Sequence, residues 1–181
     1  MKKIKEGMKK IAITGGIGTG KTYISNYFTQ MGIPVFYADE EAKKCYALPE
    51  VIETIHSYFG DTVFRNGKID FKKMAKLVFQ DAAKREIINR LIHPKVMEAF
   101  DTWAEQQTTA AVMLESAILY ENELDKFFDM VIVVDAPLEV RVERIKNRNP
   151  KLSMKDILTR INAQMPQEEK CKRADMVICN K

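Results

Sequence analysis

No stretch of this chain approaches the roughly 18 consecutive apolar residues that a membrane-spanning helix needs. The N-terminal run Met1–Gly7 is charged and lacks the apolar segment of a signal peptide, so the reading is a cytoplasmic protein with no membrane partner. Met8 offers an alternative start, which would leave the residues before it as a solvated tail. Cysteine is scarce: Cys45, Cys171 and Cys179 are odd in number, irregularly spaced and form no C-x-x-C pair. That excludes a disulfide framework and a zinc site of the usual spacing, and it leaves ordinary reduced thiols, with Cys179 expected in the core. Internal repeats and low-complexity tracts are also lacking. An excess of one charge is missing too: 29 basic against 25 acidic residues give +4, too little to call for nucleic acid but suited to a polyanionic small molecule. What remains is 181 residues, 46% apolar and 30% charged, enough for one globular domain or a core with a small insertion.

Against that background one motif stands out. Gly15-Gly16-Ile17-Gly18-Thr19-Gly20-Lys21-Thr22 fits G-x-x-x-x-G-K-[ST]. It follows Ile11-Ala12-Ile13-Thr14, which reads as a strand, and precedes Tyr23–Phe28, which opens a helix. Glycines let successive backbone N–H groups turn inward around a phosphate, and the helix N-terminus adds its dipole. Lys21 can then reach the β- and γ-phosphates, and the Thr22 hydroxyl can ligate Mg²⁺. The candidate nucleotide-binding residues are Gly16, Ile17, Gly18, Thr19, Gly20, Lys21, Thr22 and Tyr23.

The rest of the chain alternates strands and helices, which argues for an α/β fold with a parallel sheet. Strands are expected at 9–14, 33–37, 110–114, 130–134 and 176–178, and helices after the loop to Met31 and over about 138–147. Gly32 and Pro34 end the first helix. Residues 40–107 depart from this alternation. They are rich in Lys, Glu, Ala and Gln, with Val51, Ile52, Ile55 and Phe59 in one helical stripe and Met74, Leu77 and Val78 in another capped by Asp70. Pro94 is expected to interrupt the next helix at Leu91-Ile92-His93-Pro94, after which a long helix carries Val96, Phe100, Trp103 and Gln107. Ser153, with Asp156 in the first turn, caps a further helix.

In a parallel sheet ligands gather at the carboxyl ends of the strands, where Asp39, Glu115 and Asp135 fall with the glycine loop. Asp39 is a candidate for orienting or deprotonating an attacking hydroxyl, or a helix cap. Arg144 and Arg148 share a helix face beside Asn149-Pro150, fitting either a mobile lid that delivers guanidinium groups to phosphates or a solvated basic helix end. Arg141 reads as solvated. Glu115 and Asp135 either hold Mg²⁺ through water or simply end strands. His93 either contacts an anionic substrate or packs at the helix break, His56 is solvated, and Trp103 and the ten methionines are core.

In order and spacing these residues resemble the dephospho-coenzyme A kinase family, over about residues 8–180. The family pattern T-G-G-I-G-S-G-K-S matches Thr14–Thr22, with threonines at Thr19 and Thr22. D-A-D appears as Tyr37-Ala38-Asp39, keeping the second aspartate, and L-H-P appears as Leu91-Ile92-His93-Pro94 with one residue more. P-L-L-[FV]-E resembles Ala117–Glu121 without the proline, R-x-x-x-R-[DN] matches Arg144–Asn149, R-I-x-x-Q matches Arg160–Gln164, and A-D-x-V-I-x-N matches Ala174–Asn180. Family members usually run some twenty residues past that asparagine, where this chain has only Lys181.

The resemblance implies a three-layer P-loop NTPase fold with a five-stranded parallel sheet. Its nucleotide-binding core would be 8–39 with 108–181, carrying an arginine-bearing lid at about 140–165, and 40–107 would be a helical insertion for the acceptor. It implies transfer of the γ-phosphoryl group of ATP·Mg²⁺ to the ribose 3′-hydroxyl of dephospho-CoA, lying between core and insertion. Asp39, Lys21, Arg144 and Arg148 would be catalytic, and Asp39 with His93 would contact the acceptor. Two other readings stay open on the residues alone: another small-molecule P-loop kinase such as a nucleoside monophosphate kinase, and a guanine-nucleotide switch. The second lacks a complete N-K-x-D motif, although Asn180-Lys181 begins one.

Overall fold

The computed structural model describes residues 7–181, so the tail anticipated before Met8 lies outside the described residues except for Gly7. The chain forms two compact units, one from the residues up to Ala38 with Asp101–Lys181, the other Asp39–Phe100.

The first unit holds β1 (Lys9–Thr14), α1 (Lys21–Gln30), β2 (Val35–Tyr37), β5 (Ala111–Glu115), β6 (Met130–Asp135), α6 (Leu138–Arg148), α7 (Met154–Asn162), α8 (Gln167–Arg173) and β7 (Met176–Cys179). Its five strands lie in the order β2-β5-β1-β6-β7, and every pairing is parallel. Parallel neighbours need crossover connections, and the flanking helices supply them. With both faces covered, β5 and β6 read as almost unbroken apolar runs. Ile13, Met113, Ile132 and Val134 form the core, with Ile24 and Phe28 of α1 packed on it. The expected end of α1 holds: Gly32 takes a φ of 84° and Ile33 N–H reaches back to the Phe28 carbonyl.

Two expectations about burial fail. Cys179 is exposed, because β7 is an edge strand whose inward residue is Ile178. The methionines divide: Met74 and Met113 are buried, whereas Met31, Met154 and Met176 are exposed at helix ends and the sheet edge. Trp103 is half-buried, its ring 5.4 Å from that of Phe36.

A buried ion pair braces this unit. Lys170 of α8 is wholly buried, and its Nζ donates to Glu121 Oε1 and to the Ala117 carbonyl, each at 2.8 Å. Glu121 also accepts the Met165 N–H at 2.9 Å. A buried ammonium is tolerated only with such partners, so this set fixes α8 against the segment after β5.

The second unit contains most of α2 (Ala38–Cys45), α3 (Pro49–Phe59), β3 (Phe64–Arg65), β4 (Lys68–Ile69), α4 (Phe71–Gln80) and most of α5 (Ala82–Glu105). Val51, Ile55 and Phe59 bury the α3 stripe, with Ile52 half-buried beside it. Asp70 caps α4, accepting from Lys72 and Lys73 N–H at 3.0 and 3.2 Å. The hairpin β3–β4 was not anticipated. Its turn is Asn66-Gly67, both at positive φ (51° and 72°), the sequence pair that two-residue hairpins favour.

The expected helix break at Pro94 does not occur: α5 is continuous, with Pro94 inside it. An interior proline costs about 3 kcal/mol. Ile88, Ile92, Val96, Phe100 and Ala104 recur every fourth residue through it and are all buried. That apolar row runs straight across the proline and outweighs it. The helix ends at Glu105, so Gln107 lies beyond it.

Candidate active site

The phosphate loop links β1 to α1 at the carboxyl edge of the first unit's sheet. Gly18 and Gly20 adopt φ of 84° and 89°, which side chains other than glycine resist. Gly20 is the N-cap of α1 and supplies no side-chain cap, and no acidic residue occupies the first turn. The leading N–H groups of α1 therefore have no side-chain cap, an arrangement that suits an anion. Lys21 folds over the loop, its Nζ donating to the Gly15 carbonyl at 2.9 Å and the Gly16 carbonyl at 3.4 Å.

Thr22 Oγ1 donates to Glu115 Oε1 at 2.9 Å, and Ser25 Oγ donates to the other oxygen, Oε2, at 2.8 Å. Glu115 closes β5 and is 9% exposed, so its charge is shielded and held by two hydroxyls. Ser25 drew no attention in the sequence, yet it lies one turn after the loop, where a hydroxyl facing the sheet meets whatever ends the neighbouring strand. Asp135 closes β6 and is half-buried, with the Arg141 guanidinium nearby.

Arg141 is the largest departure from expectation. Its side chain is 6% exposed, not solvated, and its Nε donates to the Ile17 carbonyl at 3.0 Å. Burial pulls its pKa below the ordinary guanidinium value while the Asp135 charge works the other way. Arg144, one turn on, donates from Nη1 to the Thr19 carbonyl at 3.3 Å and the Asn180 carbonyl at 3.1 Å. Arg148 is the last residue of α6 and is exposed. Asn180 Nδ2 donates to the Thr19 carbonyl at 2.8 Å, so this asparagine braces the loop. Tyr23 is 56% exposed and meets Tyr27 edge-on, ring centroids 5.0 Å apart.

Asp39 is the second residue of α2, just past the end of β2, and is exposed. Tyr37, where the resembling pattern has its first aspartate, donates its hydroxyl to Asn26 Oδ1 at 3.4 Å. In the second unit His93 lies within α5 and is half-buried, and His56 is exposed, 3.2 Å from Asp61. Burial lowers the His93 pKa, with the Glu86 charge opposing. A histidine held below its unfolded value near 6.5 stays neutral in the folded chain while the unfolded chain gains a proton. Its effect on stability is therefore nil above about pH 6.5 and destabilising as pH falls from there toward the folded pKa. Denaturant titrations at pH 5 and 7.5 should show a smaller pH difference in His93→Gln than in the parent; an unchanged difference would remove His93 as the cause.

Among parallel α/β proteins, a glycine loop opening directly into a helix at the carboxyl edge of the sheet defines a P-loop protein, and the arginines of a later helix set against it fit a P-loop kinase. Residues 9–181 match the family model described as Dephospho-CoA kinase. A curated dephospho-CoA kinase from Bacteroides fragilis is 40% identical over 173 residues, covering 94% of this chain and 84% of that protein. The solved structure of TT1252 from Thermus thermophilus superposes with a TM-score of 0.88 at 32% identity, covering 97% of this chain and 90% of that one. A dephospho-CoA kinase from Campylobacter jejuni, at 24% identity and a TM-score of 0.63 over 95% and 88% of the two chains, shares the fold. The chain belongs to the dephospho-CoA kinase family.

Proposed function

We propose that this protein transfers the γ-phosphoryl group of ATP to the ribose 3′-hydroxyl of dephospho-CoA, forming coenzyme A. The observation that carries this reading is the match to the family across residues 9–181, both units included, with the phosphate loop fully formed.

The loop Gly16–Tyr23 would hold the nucleotide phosphates through the backbone N–H groups from Gly18 onward and the α1 dipole, the Gly16 and Ile17 N–H groups being taken by glutamines, with Lys21 turning from the Gly15 carbonyl to the β- and γ-oxygens. Such a transfer puts charge on the phosphoryl oxygens, so most of the catalysis is positioning and positive charge. Arg148, and Arg144 on turning from the Thr19 and Asn180 carbonyls, would supply that charge from a lid over about 140–165, whose closure excludes water and limits wasteful ATP hydrolysis. Asp39 would accept or orient the proton of the attacking hydroxyl, and 40–107 with His93 would bind the acceptor.

The residues present fit Mg²⁺. Thr22 and Glu115 bring a hydroxyl and a carboxylate together at 2.9 Å, both hard oxygen donors. Among the described residues no cluster of three or more His, Cys, Asp and Glu could cage a metal. Such a sparse protein contribution suits an ion that arrives with its triphosphate and keeps its waters. Thr22 would ligate it directly and Glu115 through water, and when bound it neutralises charge on the β- and γ-phosphates.

Among the described residues, no helix is long and apolar enough to cross a membrane. We infer a protein of the cytoplasm, where both substrates would be met. The test is a coupled ATP-turnover assay across acceptors. Dephospho-CoA should support turnover that AMP, CMP and dTMP do not. Turnover with a nucleoside monophosphate instead would reassign the acceptor.

A further inference from the structure

The phosphate loop has an outer face as well as the inner one that meets phosphate, and its peptide groups there are occupied by side chains from far along the chain. Gln167 Oε1 accepts the Gly16 N–H at 2.8 Å, and Gln164 Oε1 accepts the Ile17 N–H at 2.7 Å. The carbonyl of Ile17 is taken by Arg141, and that of Thr19 by Asn180 and Arg144. Gln167 does more than accept: its Nε2 donates to the Val134 carbonyl of β6 at 3.0 Å. Its amide therefore bridges the loop to the strand beside it, with oxygen and nitrogen each assigned by a backbone partner. Gly16 is packed hard against this brace, since a Cβ there would run into Arg141 Nη2 and lie 3.1 Å from Gln167 Oε1.

The two glutamines come from adjoining places with different roles in the fold. Gln164 follows the end of α7, two residues past Asn162, within the stretch read as the lid. Gln167 opens α8, whose Lys170 is locked in the buried pair with Glu121. One amide thus ties the loop to the fixed part of the unit, and the other ties it to the base of the lid segment.

We infer that Gln164 and Gln167 are positioning residues of the nucleotide site. They hold the outward-facing N–H groups of Gly16 and Ile17 so that the loop keeps its phosphate-ready shape before nucleotide arrives. Neither residue faces phosphate, and the role lies in preorganisation: without these acceptors the two N–H groups lose partners in a half-buried place, and the loop samples other conformations. The ordering that was built in must then be supplied by the nucleotide, which weakens its binding.

The inference rests on the proposed nucleotide role of the loop, and its test separates the two. Gln164→Met and Gln167→Met remove the acceptor at nearly constant size and flexibility. Each should raise KM for ATP about fivefold to tenfold, the scale of one lost hydrogen bond to a backbone group, and should leave KM for dephospho-CoA within about twofold. Calorimetry with ADP·Mg²⁺ should show the same weakening without any acceptor, and amide exchange at Ile17 should quicken in Gln164→Met. A purely structural loss would shift both KM values together with the melting temperature. Unchanged ADP affinity in both variants, or equal shifts for both substrates, would overturn the inference. A parent protein that binds ADP tightly but leaves dephospho-CoA untouched would overturn the acceptor assignment and leave the calorimetric test of the glutamines standing. A parent that binds no adenine nucleotide would overturn both.

Discussion

Lys21→Ala is expected to lower kcat/KM for ATP about a thousandfold or more, with both terms contributing. The lysine is the loop's own cation. Its Nζ already sits over the Gly15 and Gly16 carbonyls, 2.9 and 3.4 Å away, at the inner side of the loop. With a triphosphate in the loop, that ammonium would face oxygens that gain charge as the γ-phosphoryl group departs. Its loss therefore weakens the transition state more than the ground state. The fold should survive, because Lys21 is a partly buried loop residue whose Nζ bonds the Gly15 and Gly16 carbonyls and which lies outside the packed core. Steady-state kinetics with a melting curve decide it. Unchanged kinetics at an unchanged melting temperature would mean that the loop does not hold the phosphates.

Asp39→Asn is expected to cut kcat by about a hundredfold to ten-thousandfold while leaving ATP affinity within about twofold. The exchange keeps shape and hydrogen-bonding capacity but removes the ability to take a proton. Asp39 sits at the second position of α2 and is exposed. Its contribution would come from alignment of the hydroxyl as much as from proton transfer. The neighbouring Tyr37 matters here. Its hydroxyl bonds Asn26 at 3.4 Å, so the position carries no second carboxylate, and the work proposed for Asp39 is that of a single acid. Equal turnover in Asp39→Asn would remove Asp39 from the role. A parallel rise in KM for ATP would place the residue on the nucleotide instead.

The parts of the site that were legible from residues are those built locally. Ile11–Thr14, the loop and α1 are contiguous, and the glycine positions, the lysine and the Thr22 hydroxyl follow from spacing alone. The strand order could be anticipated only as parallel, because pairing β6 with β1 joins Ile11 to Met130 and pairing it with β7 joins Ile132 to Met176, contacts far apart in the chain. Arg141 was misread for the same reason. On its own helix it is one more basic residue, and its burial is set by the loop carbonyl of Ile17, 124 residues away. Gln167 is similarly silent, and Gln164, although it ends the R-I-x-x-Q match, carries no sign of the backbone N–H it will meet. Two misses were readable. Asn66-Gly67 between short alternating runs is a hairpin signal, and the fourfold spacing from Ile88 to Ala104 outvotes Pro94. Local rules named a breaker there, and the longer apolar row decided the outcome.

Purified protein incubated with ATP, Mg²⁺ and dephospho-CoA, with the product resolved by mass and by the position of its new phosphate, tests the central claim most directly. The account predicts a product one phosphoryl group heavier than dephospho-CoA, esterified at the ribose 3′-oxygen and identical to coenzyme A, with one ADP formed for each. ATP consumed with dephospho-CoA unchanged, or phosphate appearing on a nucleoside monophosphate in its place, would contradict it.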